Sequence, residues 1–376
     1  MTQLLAAVCP QVPNGIKITG SNGKGSTAAM VASILASHSI RCGLYTSPHL
    51  FSVCERMSVD GLSITEGDLS VHLESTVRAA QQIAPNRFGA FEILTATAAS
   101  WFASKQVDVV VWEAGIGGRL DATKVLPARV SALVNVALEH THLLGNTLPQ
   151  IAIDKAGIAD PGSLLVLGPL GDLEQSIANE YPDLTLINAD TAPCRPALVG
   201  AHQQENAACA TATARNWLGT EYSQDACIRG LQQVNWPLRF ELLCKNPKVW
   251  VDAAHNLSGA KRVAQTVREL LGARNLILVF GASEDRQYAA MAQVLCPLAQ
   301  EVILTAAKHK GVRPRLIEQS YDGPCHLSPD VKEAVTHAIQ LAEQHNADVL
   351  ITGGLFLAAE AALALQGKDA STLCFL

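Results

Sequence analysis

Residues Thr19-Gly20-Ser21-Asn22-Gly23-Lys24-Gly25-Ser26-Thr27 combine a backbone able to curl with one cation and several hydroxyls. Gly20, Gly23 and Gly25 let N–H groups close in on phosphate oxygens, and Asn22 stands within the same curl. Lys24 would place a point charge on the β and γ phosphates of ATP, and Ser26 or Thr27 would offer a hydroxyl to Mg²⁺. A short apolar run precedes these residues and a helical stretch follows, so a helix N-terminus would add its partial positive charge. The spacing is not the general G-x-x-x-x-G-K-[ST]: Gly25 intervenes between lysine and hydroxyl, and the loop is shorter. The competing reading is a flexible turn with an exposed lysine, which leaves the strand–loop–helix context unexplained.

Three further residues could take part in such chemistry. Glu113 ends the apolar run Val107 to Trp112 (VDVVVW), at the carboxyl end of an expected buried strand, where ligands bind in open α/β sheets. An acid there calls for a hard cation, or for a structural ion pair with Arg119 or Lys124. His140 follows the next strand, ending near Val136; a histidine in that place packs or caps as readily as it binds. Lys155 lies in a helical segment that starts at Asn146 or Thr147, just before Pro149, and could equally be an exposed helical lysine.

The elements that must hold these residues alternate short apolar runs with longer helical stretches. Strands are expected at Ile16 to Ile18, Cys42 to Tyr45, Val107 to Trp112, Ala128 to Val136 and Leu164 to Leu167, with helices at Ser26 to His38 and Phe91 to Ser104. The rhythm restarts near Trp236. Strands are expected at Val249 to Val251, Leu276 to Phe280, Glu301 to Leu304 and Asp348 to Thr352. Helices are expected from Leu257 to Leu271, through Met291, and from Val331 to Gln344. Continuous β-branched runs separated by helices predict parallel strands covered on both faces. The segment Gln233 to Pro237 is the expected hinge. The fold class is therefore α/β: a phosphate-loop sheet domain over 1–237, followed by a smaller Rossmann-like α/β domain over 238–376.

Composition agrees with a globular chain. The 376 residues are 48% hydrophobic and 16% charged, too apolar for disorder. The formal net charge is −6 without a basic run, and no basic patch has interleaved aromatics, so no nucleic-acid partner is expected. No apolar stretch approaches about 18 residues and no basic leader opens the chain, so neither a membrane span nor a signal peptide is expected. Ten scattered cysteines, from Cys9 to Cys374, form no CxxC pair and read as small buried hydrophobes of a reducing compartment.

TGSNGKGST, then GLYTSPHL and Glu55-Arg56, resemble the folylpolyglutamate synthase/dihydrofolate synthase family, a branch of the Mur ligase superfamily. The blocks FEILTATAASWF, WEAGIGGRLDAT, EHTHLLGNTLPQIAIDKAGI, HQQENA, PLRFE, VDAAHN and TGGLFLAAEA continue the likeness in order over nearly the whole chain. The resemblance implies a cytoplasmic ligase, expected to be monomeric. It would use ATP and Mg²⁺ to activate a pteroate- or folate-type acid and join it to L-glutamate. It implies Glu113 and Ser47, with Ser26, as Mg²⁺ ligands, His140 at a second Mg²⁺, and Lys155 as a carbamylated lysine supporting the metal site. It further implies that Asn206, Arg239, Asp252 and His255 contact the nucleotide between the domains, with domain closure excluding water from the acyl phosphate.

Some residues depart from the family pattern. Glu139 stands where the family usually has Asp, Lys124 where it often has Asn, and Ala253 where Gly is usual. Only 18 residues precede Thr19, fewer than is common, a departure that bears on the pterin-side pocket. Lys124 would add a cation near the acyl site, or point to solvent. Two other readings stay open: the same ligase chemistry on a non-folate acid, and a nucleotide-binding protein without ligase activity.

Overall fold

A computed structural model describes residues 1–272, 275–283 and 287–373; Cys374 lies outside the described residues. The chain forms two compact units, one of Met1–Ala197 with Gln203–Asn235, the other of Leu198–His202 with the chain from Trp236 onward.

The first unit is built on an eight-stranded sheet. Its strands are β1 (Gly15–Thr19), β2 (Cys42–Tyr45), β3 (Met57–Val59), β4 (Leu62–Ser63), β5 (Val109–Glu113), β6 (Ala128–Leu133), β7 (Leu164–Leu167) and β8 (Thr185–Asn188). They lie in the order β4-β3-β2-β5-β1-β6-β7-β8. From β2 to β8 all neighbours are parallel, and the short β3 and β4 add an antiparallel edge. β1 lies between β5 and β6, with Ile18 beside Glu113 and Thr19 beside Leu133. The carboxyl ends of these three strands therefore share one edge, the crevice side of an open α/β sheet.

Burial explains the apolar runs. Val109, Val110, Val111 and Trp112 are fully buried, as are Ile16 and Ile18, because helices cover both faces. Each such side chain contributes about 1.5–3 kcal/mol by leaving water. One core joins Tyr45, Trp101, Phe102 and Trp112 with Leu4 and Leu5 of the first helix, Thr2–Val8. A smaller one packs Leu133, Leu165 and Leu167 against Ala152 and Ala156.

β6 stops at Leu133, short of the Val136 expected from the apolar pattern. The chain turns there because Asn135 is drawn onto the phosphate loop, as its hydrogen bonds below show. The helix Lys24–Ser37, which starts two residues earlier than expected, packs on the helix Gln224–Gln233. A side chain at Gly230 would strike the Ile34 backbone at 2.6 Å, and the bare glycine lets the Ser33 hydroxyl donate to the Gly230 carbonyl at 2.7 Å.

The second unit holds a six-stranded sheet of β9 (Glu241–Lys245), β10 (Lys248–Asp252), β11 (Leu276–Phe280), β12 (Glu301–Leu304), β13 (His326–Leu327) and β14 (Asp348–Thr352). The order is β13-β12-β11-β14-β10-β9, parallel except for the β9–β10 hairpin. Its core gathers Phe240, Leu278, Phe280, Met291 and Leu350. The fold is thus the expected pair of α/β units, with antiparallel edges that the pattern did not reveal. Of the nine described cysteines, six are buried and three half-buried, and all are free thiols. No described helix is long and apolar enough to cross a membrane.

Candidate active site

The phosphate loop is held open by its own neighbours. Gly23 sits in the left-handed region at φ 78°, the residue before the helix that starts at Lys24. A side chain there would be strained and would meet the Asn206 amide at 2.5 Å, so glycine is needed on both counts. Asn135 clamps the loop through three bonds. Its carbonyl accepts the Ser21 N–H at 3.0 Å, its Oδ1 accepts the Asn22 N–H at 2.9 Å, and its Nδ2 donates to the Asn22 carbonyl at 2.8 Å. The Lys24 ammonium folds back onto the Gly20 carbonyl at 2.9 Å.

A second lysine lies close by. Thr147 caps the helix Leu148–Ala156 in a capping box with Gln150, and Pro149 occupies its first turn. That frame buries Lys155 to 1% exposure and pairs its ammonium with Glu139 at 2.9 Å. Burial, then the charge of Lys24, lowers the Lys155 pKa, while Glu139 opposes that shift. For Glu139 burial is the largest single effect and acts upward. The charges of Lys155 and Lys24, with the Ser21 hydroxyl, outweigh it and hold the carboxylate below its usual range. Glu139 is thus the shared counter-ion of two lysines beside the loop. Breaking such a buried pair costs about 3–5 kcal/mol.

Glu113 ends β5, and its Oε2 accepts the Ser47 N–H at 2.9 Å. The two residues expected to share a Mg²⁺ ion are therefore adjacent. Arg119 and Lys124 have other engagements. Arg119 pairs with Asp154, while Lys124 donates to the Ala159 carbonyl at 2.6 Å and faces Asp160. Lys124 is thus tied into the scaffold rather than offered to an acyl group. The glycine-rich segment after Glu113 is shaped by Asp121, whose carboxylate accepts N–H groups of Gly115, Ile116 and Thr123. His140 adopts a left-handed conformation at φ 42°, its carbonyl capping the short helix Thr141–Leu144, with its ring 6.3 Å from that of His142.

Among the described residues, no group of three or more His, Cys, Asp or Glu side chains is arranged to hold a metal. The oxygen donors present are the Glu113 carboxylate and the hydroxyls of Ser26, Thr27 and Ser47. Thr27 Oγ1 is buried with no protein partner among the described residues. This hard, sparse donor set fits a Mg²⁺ ion that keeps waters and takes further oxygens from a nucleotide's phosphates.

Asn206, buried in the helix Ala201–Leu218, donates its amide to Gln203 and backs Gly23. Arg239, Asp252 and His255 belong to the second unit. Asp252 braces the loops around it, its carboxylate accepting N–H groups of Phe240 at 2.9 Å and Ala254 at 2.7 Å. Burial raises its pKa against the pull of Arg239. The His255 ring contacts the Ala253 carbonyl at 3.2 Å.

Sequence reasoning missed Asn135, the Glu139–Lys155 pair and the bracing by Asp121. A lone asparagine inside the apolar run ALVNV was the one local signal for Asn135.

A phosphate loop at the centre of a parallel sheet, a buried acid on the neighbouring strand and a second βα unit define a nucleotide-dependent α/β enzyme architecture. The comparisons make this specific. Residues 238–355 match the family described as Mur ligase, glutamate ligase domain. A protein of Halobacterium salinarum named "Probable bifunctional folylpolyglutamate synthase/dihydropteroate synthase" is 36% identical over 93% of this chain and 46% of its own length. The dihydrofolate synthase/folylpolyglutamate synthase of Bacillus subtilis is 30% identical, with 90% of this chain and 87% of that protein covered. A solved bifunctional folylpolyglutamate synthase/dihydrofolate synthase from Yersinia pestis, complexed with AMPPNP and a Mn ion, superposes with a TM-score of 0.86 at 26% identity. It covers 97% of this chain and 92% of that one. The chain belongs to the folylpolyglutamate synthase/dihydrofolate synthase family. It spans about half the length of the two archaeal bifunctional relatives it matches.

Proposed function

We propose that this chain is an ATP-dependent ligase that joins L-glutamate to a pteroate- or folate-type acid. The carrying observation is the gathering of Lys24, Glu139 and Lys155 beside the phosphate loop, with Glu113 on the adjoining strand. In the first step a carboxylate oxygen of the acid attacks the γ-phosphorus and ADP leaves, giving an acyl phosphate. In the second the glutamate amine attacks the acyl carbon, phosphate leaves, and the amine gives up a proton.

The first step brings two anions together, so cations must offset their repulsion and the loop must hold them in line. Lys24 would leave the Gly20 carbonyl for the β and γ phosphates. Bound with the nucleotide, Mg²⁺ would neutralise phosphate charge, held by Glu113 and the hydroxyls of Ser26, Thr27 and Ser47, with a second site at His140. Carbamylation of Lys155 belongs to the same reading. Burial and Lys24 favour the neutral amine that CO₂ requires, and the carbamate would replace the ion pair with Glu139. Asn206, Arg239, Asp252 and His255 would complete the nucleotide contacts.

The test is phosphate release from ATP with Mg²⁺ and L-glutamate, comparing dihydropteroate, tetrahydrofolate and no acid. Release that needs both glutamate and one of these acids is the expected result. Nucleotide binding without stimulation by either acid would overturn the choice of substrate, and stimulation by another carboxylic acid would put a non-folate ligase in its place.

A further inference from the structure

Behind Glu113 lies a buried polar cluster that the proposed chemistry does not use. Between Thr46 and Ser52 the chain leaves β2, turns, and enters a short 3₁₀ segment, Val53–Arg56. This loop carries Ser47, and three anchors fix its course. The Thr46 N–H donates to the Arg56 carbonyl at 2.9 Å, and the Ser47 N–H to Glu113. The Glu55 carboxylate accepts the N–H groups of Leu50, Phe51 and Ser52 at 2.8–3.0 Å.

The fourth anchor runs between side chains. Arg56, 7% exposed, donates its Nε–H to Nδ1 of His49, itself 3% exposed, at 2.9 Å. A guanidinium has no lone pair to offer, so the imidazole nitrogen must accept. That fixes the ring orientation and places the neutral ring's proton on Nε2.

A buried guanidinium is costly without charge nearby. The Glu113 carboxylate supplies it, opposing the downward pull of burial on the Arg56 pKa. Tyr45 is fully buried, bonded to Thr95 and packed on Trp112. Arg56 thus reaches the site twice: through its charge to Glu113, and through His49 to the loop that carries Ser47.

We propose that Arg56 and His49 act as one positioning unit that orders Ser47 and Glu113 for a divalent cation before the cation arrives. The proposal rests on the reading of Glu113 and Ser47 as metal ligands. Groups one step behind a ligand typically contribute 10- to 100-fold to metal affinity. Neither residue need touch metal or nucleotide for this.

The test measures Mn²⁺ binding by electron paramagnetic resonance with AMPPNP present, for wild type, Arg56→Gln, His49→Ala and the double variant. Thermal melts by circular dichroism run in parallel. Each single variant should weaken Mn²⁺ binding by about tenfold or more, and the double variant should lose little beyond either one, because the two act as a unit. A merely structural pair would lower the melting temperature and leave Mn²⁺ affinity within about twofold, which overturns the proposal. Should Arg56→Gln fail to fold, His49→Ala decides alone. If the wild type binds no Mn²⁺, the metal assignment of Glu113 and Ser47 fails first, an outcome distinct from variants that bind as tightly as wild type.

Discussion

Lys155, Lys17 and Arg56 are buried in the first unit, and each meets another side chain: Glu139, Asp160 and His49 respectively. Asp252 and Glu360 are buried in the second unit and are satisfied chiefly by backbone. Asp252 takes N–H groups of Phe240 and Ala254, and Glu360 takes that of Lys308 at 2.7 Å. The two solutions differ in what they leave available. A carboxylate that accepts backbone N–H groups shapes a loop and keeps only its remaining lone pairs for a ligand. A charge balanced by another mobile side chain can exchange that partner for a phosphate or a cation. On this view these three buried cations of the first unit hold exchangeable charge, while the two buried carboxylates of the second also serve as scaffolding.

The sharpest way to break that contrast is to remove one charge from each unit. Lys24→Ala should reduce turnover by about a thousandfold or more, since Lys24 is the cation within the loop itself, while the melting temperature moves by no more than about 2 °C. Steady-state phosphate release and a thermal melt check both halves. Near-normal turnover would remove the loop from the chemistry. Glu360→Ala should do the reverse. It removes the buried carboxylate that accepts the Lys308 N–H and should cost about 1–3 kcal/mol in urea unfolding, with KM for ATP unchanged. A changed KM with unchanged stability would show that the second unit also stores functional charge.

The third effect concerns acid. Burial beside Arg262 and Arg239 pushes the His202 imidazole down to about 4, against about 6.5 when unfolded. The unfolded chain therefore takes up the proton first as pH falls. The stability His202 contributes is complete above pH 6.5 and declines toward pH 4, by at most about 3 kcal/mol. Urea midpoints of wild type and His202→Gln, compared between pH 7 and pH 4.5, should diverge in that direction. Parallel curves would mean that the imidazole is not held neutral.

What could be read from the sequence divides along a similar line. The phosphate loop, the strand ending in Glu113 and the cap before Lys155 depend on residues within a few positions of one another. Local spacing therefore exposed them. Lys17 shows the opposite case. Ile16 to Ile18 is expected as a strand covered on both faces, with no partner named for its lysine; Lys17 is fully buried because Asp160, distant in sequence, reaches it at 2.8 Å. Asn135 was hidden for the same reason, since its role exists only once β6 lies beside β1. Glu139 was visible as a departure from the family's aspartate. Its effect depends on Lys155 from a separate helix, which no periodicity encodes. Arg56 was noticed only as part of a block, without a role, because His49 becomes its partner through a turn.

The contact between Ser33 and Gly230 joins residues 197 positions apart. The helix that begins at Lys24 thus leans on the last helix of its own unit, which leaves the ribosome long after the loop has been made. During synthesis the nucleotide loop must wait, unsupported, for most of the unit to emerge. A truncated clone ending after β8 would contain the whole loop from Thr19 to Thr27 and still lack the buttress that gives it its shape. Fragments intended to keep the loop's shape should run through Gln233.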